Sequence, residues 1–418
     1  MVLPNAWMVL PFVLLLLSMA AAPVLVPDWW RRHYPLIALG LGAITVAYYL
    51  VGMRASVEIL HLAREYVSFI VLIGSLFVVS GGIHLRFSGN ATPLANTVFL
   101  LAGALAANVL GSTGAAMLLI RPWIHANKQG FRAHHIAFFI FIIANVGGCL
   151  TPIGNAPLFL GYLQGVPFWW VTEHCWPAWV VGTGLLLGIF YSVDKFHHSR
   201  APKADGEAES ERWKFSGLFN VFFIAVIIGA VFIEKPVFLR EAVMVVAALG
   251  SYLITRRHFR QVHEKNEFDF RPLNEVAVLF AGIFATMMPA LDLLQAHARD
   301  LLGANPQAGV FYWSTGGLSA VLDNAPTYLG FFTALQGIGG AENVSGLLAR
   351  NGSDVLAVSL GAVFFGAATY IGNNPNFMIK AIAERQKVSA PGFLEFIWKF
   401  TLPLLLPVLA VVWLIFFH

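Results

Sequence analysis

Two short polar motifs interrupt the apolar sequence, and each occurs twice in the same order. Residues 151–159 fit the pattern T-x-I-G-N-x-P-x-F, and residues 369–377 repeat it. Upstream, residues 109–114 and 321–326 share a second pattern, in which a Val-Leu pair precedes small, polar or helix-breaking residues. The offsets between copies are 369 − 151 = 218 and 321 − 109 = 212. We therefore expect an internal repeat with one copy of each motif in each half.

The motifs have the residue types of an ion-binding or substrate-binding site inside a membrane. A helix that breaks there frees backbone groups that lipid cannot satisfy; carbonyls at helix C-termini suit a cation, and amides at N-termini suit an anion. The predicted binding residues are Ser112, Thr113, Thr151, Gly154, Asn155, Asp323, Asn324, Thr369, Gly372, Asn373 and Asn374. The Na⁺ ligands expected among them are Asn155, Asp323, Asn324 and Asn373. Interhelical hydrogen bonding without a ligand is the alternative role.

Asp323 is the acidic residue of these motifs. A carboxylate near the bilayer centre costs roughly 3 kcal/mol, so it needs a partner, water or a function. Burial favours its protonated form and a bound cation favours the carboxylate, so one group can carry either Na⁺ or H⁺. This is the minimal chemistry of a cation/proton exchanger, and a protonated or Arg-paired structural aspartate is the alternative.

Composition places the motifs in a membrane protein. Of the 418 residues, 58% are hydrophobic and only 11% are charged, which is too few polar side chains to cover a soluble globule of this size. The net charge of +4 lies in short segments between apolar runs, so we expect a lipid bilayer as partner and no nucleic acid. The two cysteines have no metal-ligand spacing, and no cofactor is expected beyond transported Na⁺ and H⁺.

The distribution of apolar segments predicts an all-α polytopic protein with two structural repeats. A charged, small-residue stretch at 194–216 is predicted to be a cytoplasmic linker between a first repeat, 1–193, and a second repeat, 217–418. Each repeat should contain a re-entrant hairpin, a broken helix and five crossings in total. Because five is odd, the second repeat should be inverted relative to the first.

The basic residues give this tracing a direction. Six of the 26 Lys and Arg residues lie on one side of it, namely Arg54, Arg64, Lys235, Arg240, Arg299 and Arg350. The other 26 − 6 = 20 lie on the opposite side, which the positive-inside rule makes cytoplasmic. Both termini are then predicted outside, with the first hairpin opening inward and the second outward.

Other ionisable residues are predicted to be solvated. Arg121 precedes a proline near the cytoplasmic interface, where snorkelling is favoured over anion binding. Five histidines fall in predicted loops, where a solvated role is favoured over metal binding or pH sensing: His125, His134, His135, His197 and His198.

The motif segments resemble those of the ion transporter superfamily, most closely the NhaD-type sodium/proton antiporters and the related putative citrate transporters. The segments are GSTGAAMLLIRP, ANVGGCLTPIGNAPLFLGYLQGVPFWW, LSAVLDNAPTYLGFF and TYIGNNPNFMIKAIAE. The resemblance implies inverted repeats with ion sites at hairpin tips and unwound helices, and a homodimer that moves by an elevator mechanism in the cytoplasmic (inner) membrane. Carried over by position, it implies roles for Ser112, Thr113, Asn155, Asp323, Asn324, Thr369 and Asn373.

One departure from the antiporters concerns charge. Their first unwound segment reads T-P-L-G-D-P-P, whereas this chain has Asn155 and Ala156 in place of the Asp and the first Pro of its D-P-P ending. The missing carboxylate removes one charge from the first site.

Three functions fit the sequence to different degrees. Na⁺/H⁺ antiport uses Asp323 as the exchangeable carboxylate and is the favoured hypothesis. Uptake of a carboxylate such as citrate is the rival, although a charged Asp323 would repel an anion and neither motif contains Arg or Lys. A membrane-bound acyl or glycosyl transferase is the third hypothesis. The sequence has no His-Asp or Ser-His pair at a membrane interface with a spacing that suits catalysis, so no enzymatic activity is expected.

Overall fold

The structure is a computed structural model, and it describes residues 3–88, 92–128, 130–198, 212–233, 235–303, 306–339 and 343–418. Most of the predicted linker, at 199–211, lies outside the described residues. Its start is helical, because the helix that contains Asp194 continues to His198. The boundary predicted at residue 194 therefore falls inside a helix.

Helices make up both halves of the chain. The first half contains α1 (Leu10–Leu25), α2 (Pro27–Ala47), α3 (Ser56–Gly81), α4 (Pro93–Ala126), α5 (Ala133–Phe139), α6 (Ala156–Leu163) and α7 (Phe168–His198). The second half contains α8 (Asn220–Val231), α9 (Leu239–His258), α10 (Arg260–Lys265), α11 (Arg271–Leu302), α12 (Ala308–Ser319), α13 (Asn324–Gly339), α14 (Val344–Phe365), α15 (Asn374–Arg385), α16 (Phe393–Phe396) and α17 (Leu406–Phe416). The predicted all-α class is confirmed.

Shorter segments extend or join these helices. Turns of π-helix follow α2 and α5 and connect α16 to α17, at Tyr48–Gly52, Ile140–Asn145 and Ile397–Leu405. Turns of 3₁₀-helix lie at Ala6–Val9, Val146–Gly148 and Pro152–Gly154. Strands β1 (His84–Ser88) and β2 (Arg212–Ser216) form an antiparallel pair in which His84 lies opposite Ser216.

Eight helical segments in the described part of the chain are long and apolar enough to cross a membrane. They are Ala6–Pro23, Pro27–Gly52, Ser56–Gly81, Pro93–Ala126, Phe168–His198, Arg271–Leu302, Val344–Phe365 and Phe393–Phe416. Their outward faces carry exposed apolar side chains such as Leu36 and Val51, which suit lipid. The chain is an integral multi-pass membrane protein.

Helix α4 folds back on itself at Gly111. This residue has φ 72° and ψ 153°, a backbone conformation that residues other than glycine rarely adopt. The rings of Phe99 and Trp123 lie 5.2 Å apart, and Asn96 donates to Asn127 Oδ1 at 2.8 Å. In a straight helix Phe99 and Trp123 would be about 36 Å apart. The segment is therefore a helical hairpin whose arms lie on either side of Gly111.

The second half contains the matching interruption. Helices α12 and α13 are separated by residues 320–323, and α14 packs against both of them. After α14 the chain is irregular from 366 to 373 and then continues as α15. In the first half, the corresponding irregular stretch precedes α6 and includes Asn155. All four helix breaks expected from the motifs are present.

Two predictions about ionisable residues need correction. The five histidines predicted in loops all lie on helices, namely His125 on α4, His134 and His135 on α5, and His197 and His198 on α7. His134 and His135 are also buried, and a nitrogen of each ring lies within 3.2 Å of Asp194 of α7. Arg121 is half-buried and lies 3.6 Å from Glu267, so it has an ionic partner rather than a freely snorkelling head.

Candidate functional site

The four helix breaks meet at one central cavity. Most of the predicted binding residues line it, namely Ser112, Thr113, Gly154, Asn155, Asp323, Asn324, Asn373 and Asn374. Apolar side chains of α3 and α11, such as Leu76 and Phe280, form the rest of the wall. Motifs more than 200 residues apart in the sequence thus form one site.

Each break presents the N-terminus of a helix to this cavity. The second arm of α4 starts after Gly111, α6 starts after Asn155, α13 starts at Asn324, and α15 starts after Asn373. A helix N-terminus carries amide groups without intrahelical partners and the equivalent of about half a positive elementary charge. Four such ends bring roughly two positive charges to one small space, and the C-terminal end of the first arm of α4, at Leu110, offsets about half a charge of that sum. The backbone therefore favours an anion here, although no Lys or Arg lies among the described residues that line the cavity.

The side chains that precede α6 and α15 do not cap those helices. The side chains of Asn155 and Asn373 accept no hydrogen bond from the first turn that follows them. At α13 some capping is present, because the Ala325 amide donates to Asp323 Oδ1 at 3.0 Å. Within the described structure, no N-cap side chain accepts a hydrogen bond from the free amides at the N-termini of α6 and α15.

Three predicted binding residues support the breaks instead of lining the cavity. The Thr151 hydroxyl donates to the carbonyl of Asn108 at 2.6 Å and accepts from the Gly154 amide at 3.2 Å. The Thr369 hydroxyl donates to the carbonyl of Ala320 at 2.7 Å. It also accepts from the amide of Gly372, which is 3.1 Å away. Thr151, Thr369 and Gly372 do not line the cavity, so the prediction that they bind the ligand directly is not supported by their positions.

These matching hydrogen bonds relate the two halves of the site. The donors are 369 − 151 = 218 residues apart and the acceptors are 320 − 108 = 212 residues apart, the same offsets as in the sequence motifs. A repeated pattern of side chain and backbone pairing at these offsets is what an internal structural repeat would produce.

Glycine at positions 154 and 372 is required by close backbone packing. A Cβ atom on Gly154 would overlap the carbonyl oxygen of Gly148. On Gly372 it would lie 2.7 Å from the carbonyl oxygen of Ser319 and 2.8 Å from that of Gly366. Backbone atoms cannot move aside as a flexible side chain can, so Gly154 permits tight packing within its own unwound segment, and Gly372 permits it both within its segment and against the end of α12.

A buried asparagine network joins the two halves beside the cavity. Asn145 donates to Asn376 Oδ1 at 2.9 Å and accepts from Asn373 at 2.9 Å. The Asn324 amide donates to Asn155 Oδ1 at 3.3 Å. All five side chains are at most 3% exposed.

Sequence reasoning missed two of these asparagines, Asn145 and Asn376, and also Asn108 beside them. Asn376 lies inside the motif copy at 369–377, and Asn108 and Asn145 are isolated polar residues in apolar segments. Asn108 donates to the carbonyl of Gly147 and accepts from the amide of Leu150, so it anchors the first break. An amide side chain within a predicted span is the signal that could have identified them, because such groups require partners in a membrane.

Asp323 and Asn324 give the cavity its acceptor groups. Asp323 is 7% exposed and is the one acidic side chain among the described residues that line the cavity. Asn324 is fully buried, and its Oδ1 atom has no hydrogen-bond partner. An unsatisfied buried oxygen costs about 1–3 kcal/mol, so it favours a bound cation or donor. A carboxylate and a neutral oxygen on adjacent residues are suitable ligands for a hard cation.

The cavity is small in this structure. Its volume is about 40 Å³, and a cavity needs about 10–15 Å³ of such volume to hold one water molecule. It accommodates an ion or a few water molecules, whereas a tricarboxylate is several times larger. In this form the site is closed to a tricarboxylate.

Comparison with known proteins identifies the family. The sequence profile of the family described as "Putative citrate transport" matches residues 2–417. The motifs resembled two related families, and this match supports the citrate transporters rather than the NhaD-type antiporters specifically. No curated protein matches the chain. Because the profile covers nearly the whole sequence, the chain belongs to the putative citrate transport family.

Proposed function

We propose that this protein is a cation-coupled transporter of a small carboxylate of the citrate class. The observation that carries the proposal is the meeting of four helix N-termini at one cavity. Their partial positive charges answer the objection that the motifs contain no Arg or Lys for an anionic substrate. The family match supports the same substrate class.

The coupling cation has a separate role in this proposal. Asp323 would repel a carboxylate, so a cation bound to its carboxylate and to Asn324 Oδ1 removes the repulsion before the substrate enters. The hydroxyls of Ser112 and Thr113 and the N-terminal amides then contact the substrate. Either Na⁺ or H⁺ at Asp323 satisfies this requirement.

Substrate entry requires the site to open. A cavity of about 40 Å³ must expand severalfold before it admits citrate. We propose that the α4 hairpin and the α12–α13 segment enter the membrane from opposite sides as parts of inverted repeats, and that the closed site moves across in an elevator-type step within a homodimer. The bias of basic residues supports a cytoplasmic membrane location with both termini outside.

The test is uptake of radiolabelled citrate into liposomes that contain the purified protein. We expect uptake to depend on an inward Na⁺ or H⁺ gradient and to fall at least tenfold in Asp323→Asn, which keeps the side-chain shape but removes the charge that binds the cation. Asp354→Asn is the matched control, because Asp354 bonds to Asn351 and does not line the cavity. Gradient-independent uptake, or equal loss in both variants, would contradict the proposed coupling.

Na⁺/H⁺ antiport is the second candidate, and the small volume of the closed cavity together with the unpartnered Asn324 Oδ1 favours it. In the same liposomes, an imposed Na⁺ or Li⁺ gradient would then change the internal pH without any carboxylate. Cation-driven proton movement in the absence of citrate, combined with no citrate uptake, would replace the first proposal with this one.

A further inference from the structure

A second buried polar cluster lies away from the central cavity, at the meeting point of α4, α5 and α7. His134 Nε2 lies 3.1 Å from Asp194 Oδ1, and His135 Nε2 lies 3.2 Å from the same oxygen. All three residues are buried: His134 is 4% exposed, His135 2% and Asp194 5%. None of them lines the central cavity.

The two imidazoles converge although they are neighbours in sequence. Successive residues on a helix point about 100° apart, because there are 3.6 residues per turn. His134 and His135 nevertheless bring their rings to a centroid separation of 4.1 Å, and the one ligand atom from each histidine and from Asp194 lie within 4.8 Å of one another. Two nitrogens and one carboxylate oxygen therefore face a common point.

We propose that this cluster is a binding site for a divalent transition-metal ion, with Zn²⁺ as the expected occupant. Two imidazole nitrogens and one carboxylate oxygen are a ligand set that Zn²⁺ uses, with bonds of about 2.0–2.2 Å. A tetrahedron with such bonds has edges of roughly 3.3 Å. The two nitrogen–oxygen separations of 3.1 Å and 3.2 Å are close to that edge. Water would complete the fourth position.

The surrounding hydrogen bonds suit ligands that are held in place for a metal. Asp194 Oδ2 accepts from the Asn96 amide at 2.9 Å, which leaves Oδ1 for the ion. His135 Nδ1 lies 3.3 Å from the carbonyl oxygen of Arg132, so the ring can donate that N–H while Nε2 binds the metal. Metal-bound histidines commonly donate their other N–H to a carbonyl or carboxylate in this way.

A metal-free network is the competing explanation. In it, both Nε2–H groups donate to Asp194, and the Arg132 amide donates to His135 Nδ1 at 3.1 Å. That arrangement binds no metal. It places the ring proton of each histidine on Nε2, whereas the metal site requires that proton on Nδ1 so that Nε2 can bind the ion. Measurement of metal content therefore separates the two explanations.

Hydrogen bonds connect the proposed metal site to both ends of the α4 hairpin. Asn96 lies near the start of the first arm of α4 and Asn127 follows the end of its second arm, and the two side chains bond to each other in both directions. Since Asn96 also bonds to Asp194, an ion at Asp194 would attach both ends of the hairpin to α5 and α7. We expect Zn²⁺ to raise the melting temperature of the protein, because a ligand that binds only the folded state stabilises it.

The test uses the full-length protein in detergent, without a polyhistidine tag and after treatment with a chelator. Titration with Co²⁺ should give one equivalent of visible ligand-field absorption that Zn²⁺ displaces. Asp194→Asn should weaken binding at least a hundredfold, and Asn96→Ala should weaken it about tenfold to a hundredfold. His125→Ala is the control, because His125 is an exposed histidine in the last turn of α4. This substitution should leave metal binding unchanged.

A measurement on the unchanged chain covers the case in which the variants fail to fold. X-ray absorption of the zinc-loaded protein should report two imidazole nitrogens and oxygen ligands at about 2.0–2.1 Å. Binding of less than a tenth of an equivalent at micromolar Zn²⁺, an absorption spectrum without imidazole, or unchanged binding in a folded Asp194→Asn variant would each overturn the proposal. Citrate uptake in Asp194→Asn reports separately on the central cavity.

Discussion

Asn155→Asp restores the charge that distinguishes this chain from the antiporters it resembles. Asn155 lines the cavity, is 1% exposed, and has its Oδ1 atom 3.3 Å from the amide nitrogen of Asn324. Aspartate has nearly the same shape, so the substitution changes the charge without a steric cost. If the cavity binds a carboxylate, the new negative charge opposes it; if the cavity exchanges only cations, the new charge assists it.

The expected magnitude follows from the size of the closed site. Two unit charges of the same sign 4 Å apart repel by about 4 kcal/mol at an effective dielectric constant of 20. Since each 1.4 kcal/mol corresponds to a factor of about ten, full repulsion would weaken carboxylate binding about a thousandfold. Uptake of a proton or an additional cation at the new carboxylate would relieve part of it. We therefore expect the KM for citrate to rise at least tenfold.

The assay is the dependence of liposomal citrate uptake on citrate concentration, with the cation gradient held constant. Asn274→Asp makes the same change at an exposed position at the start of α11 and should leave the KM unaltered. A KM in Asn155→Asp within twofold of the parent value would refute the inference that the helix N-termini around Asn155 bind the substrate carboxylate. Tighter Na⁺ binding without any citrate effect would favour cation antiport.

Two further predictions concern stability and pH. Gly154→Ala should lower the free energy of unfolding by about 1–3 kcal/mol, because the added Cβ overlaps the Gly148 carbonyl; thermal melts should show no such loss in Gly184→Ala, whose Cβ would meet nothing within 4 Å. Burial lowers the pKa of His263 from its usual 6.5. Below about pH 6.5 the unfolded chain therefore binds a proton at this histidine more readily than the folded chain does, so the free energy of unfolding should fall as the pH falls. The melting temperature of His263→Phe should therefore fall less over that pH range than that of the parent, and an equal fall would contradict the role of His263.

The fold class and the positions of the breaks were predictable from sequence because they depend on local chemistry. Apolar runs of membrane-spanning length predict helices, and Gly, Pro and Asn within them predict interruptions. Gly111 illustrates this, since its positive φ is a property of glycine itself. The motifs predicted a break in each half but not that the breaks would meet, so their convergence on one cavity is a finding of the structure.

The roles of individual polar residues depended on contacts that the sequence does not contain. Thr151 and Asn155 lie in one motif, yet the hydroxyl of Thr151 faces the carbonyl of Asn108 while Asn155 lines the cavity. His134 and His135 were expected in solvent because the apolar segment begins after them, but α5 begins before them and packs its first turn against Asp194. Such pairings join residues tens of positions apart, beyond the range of local patterns.

The sequence by itself determined that this protein lies in a membrane and interrupts its helices at paired polar motifs, because hydrophobicity and helix-breaking are properties of short segments. Only the tertiary structure decided which ends of the broken helices meet. That arrangement changed the electrostatic argument, because residue composition counts Asp323 as the site's charge, whereas packing places four helix N-termini around it. Their summed partial charges depend on the relative orientation of the helices, which no single segment encodes.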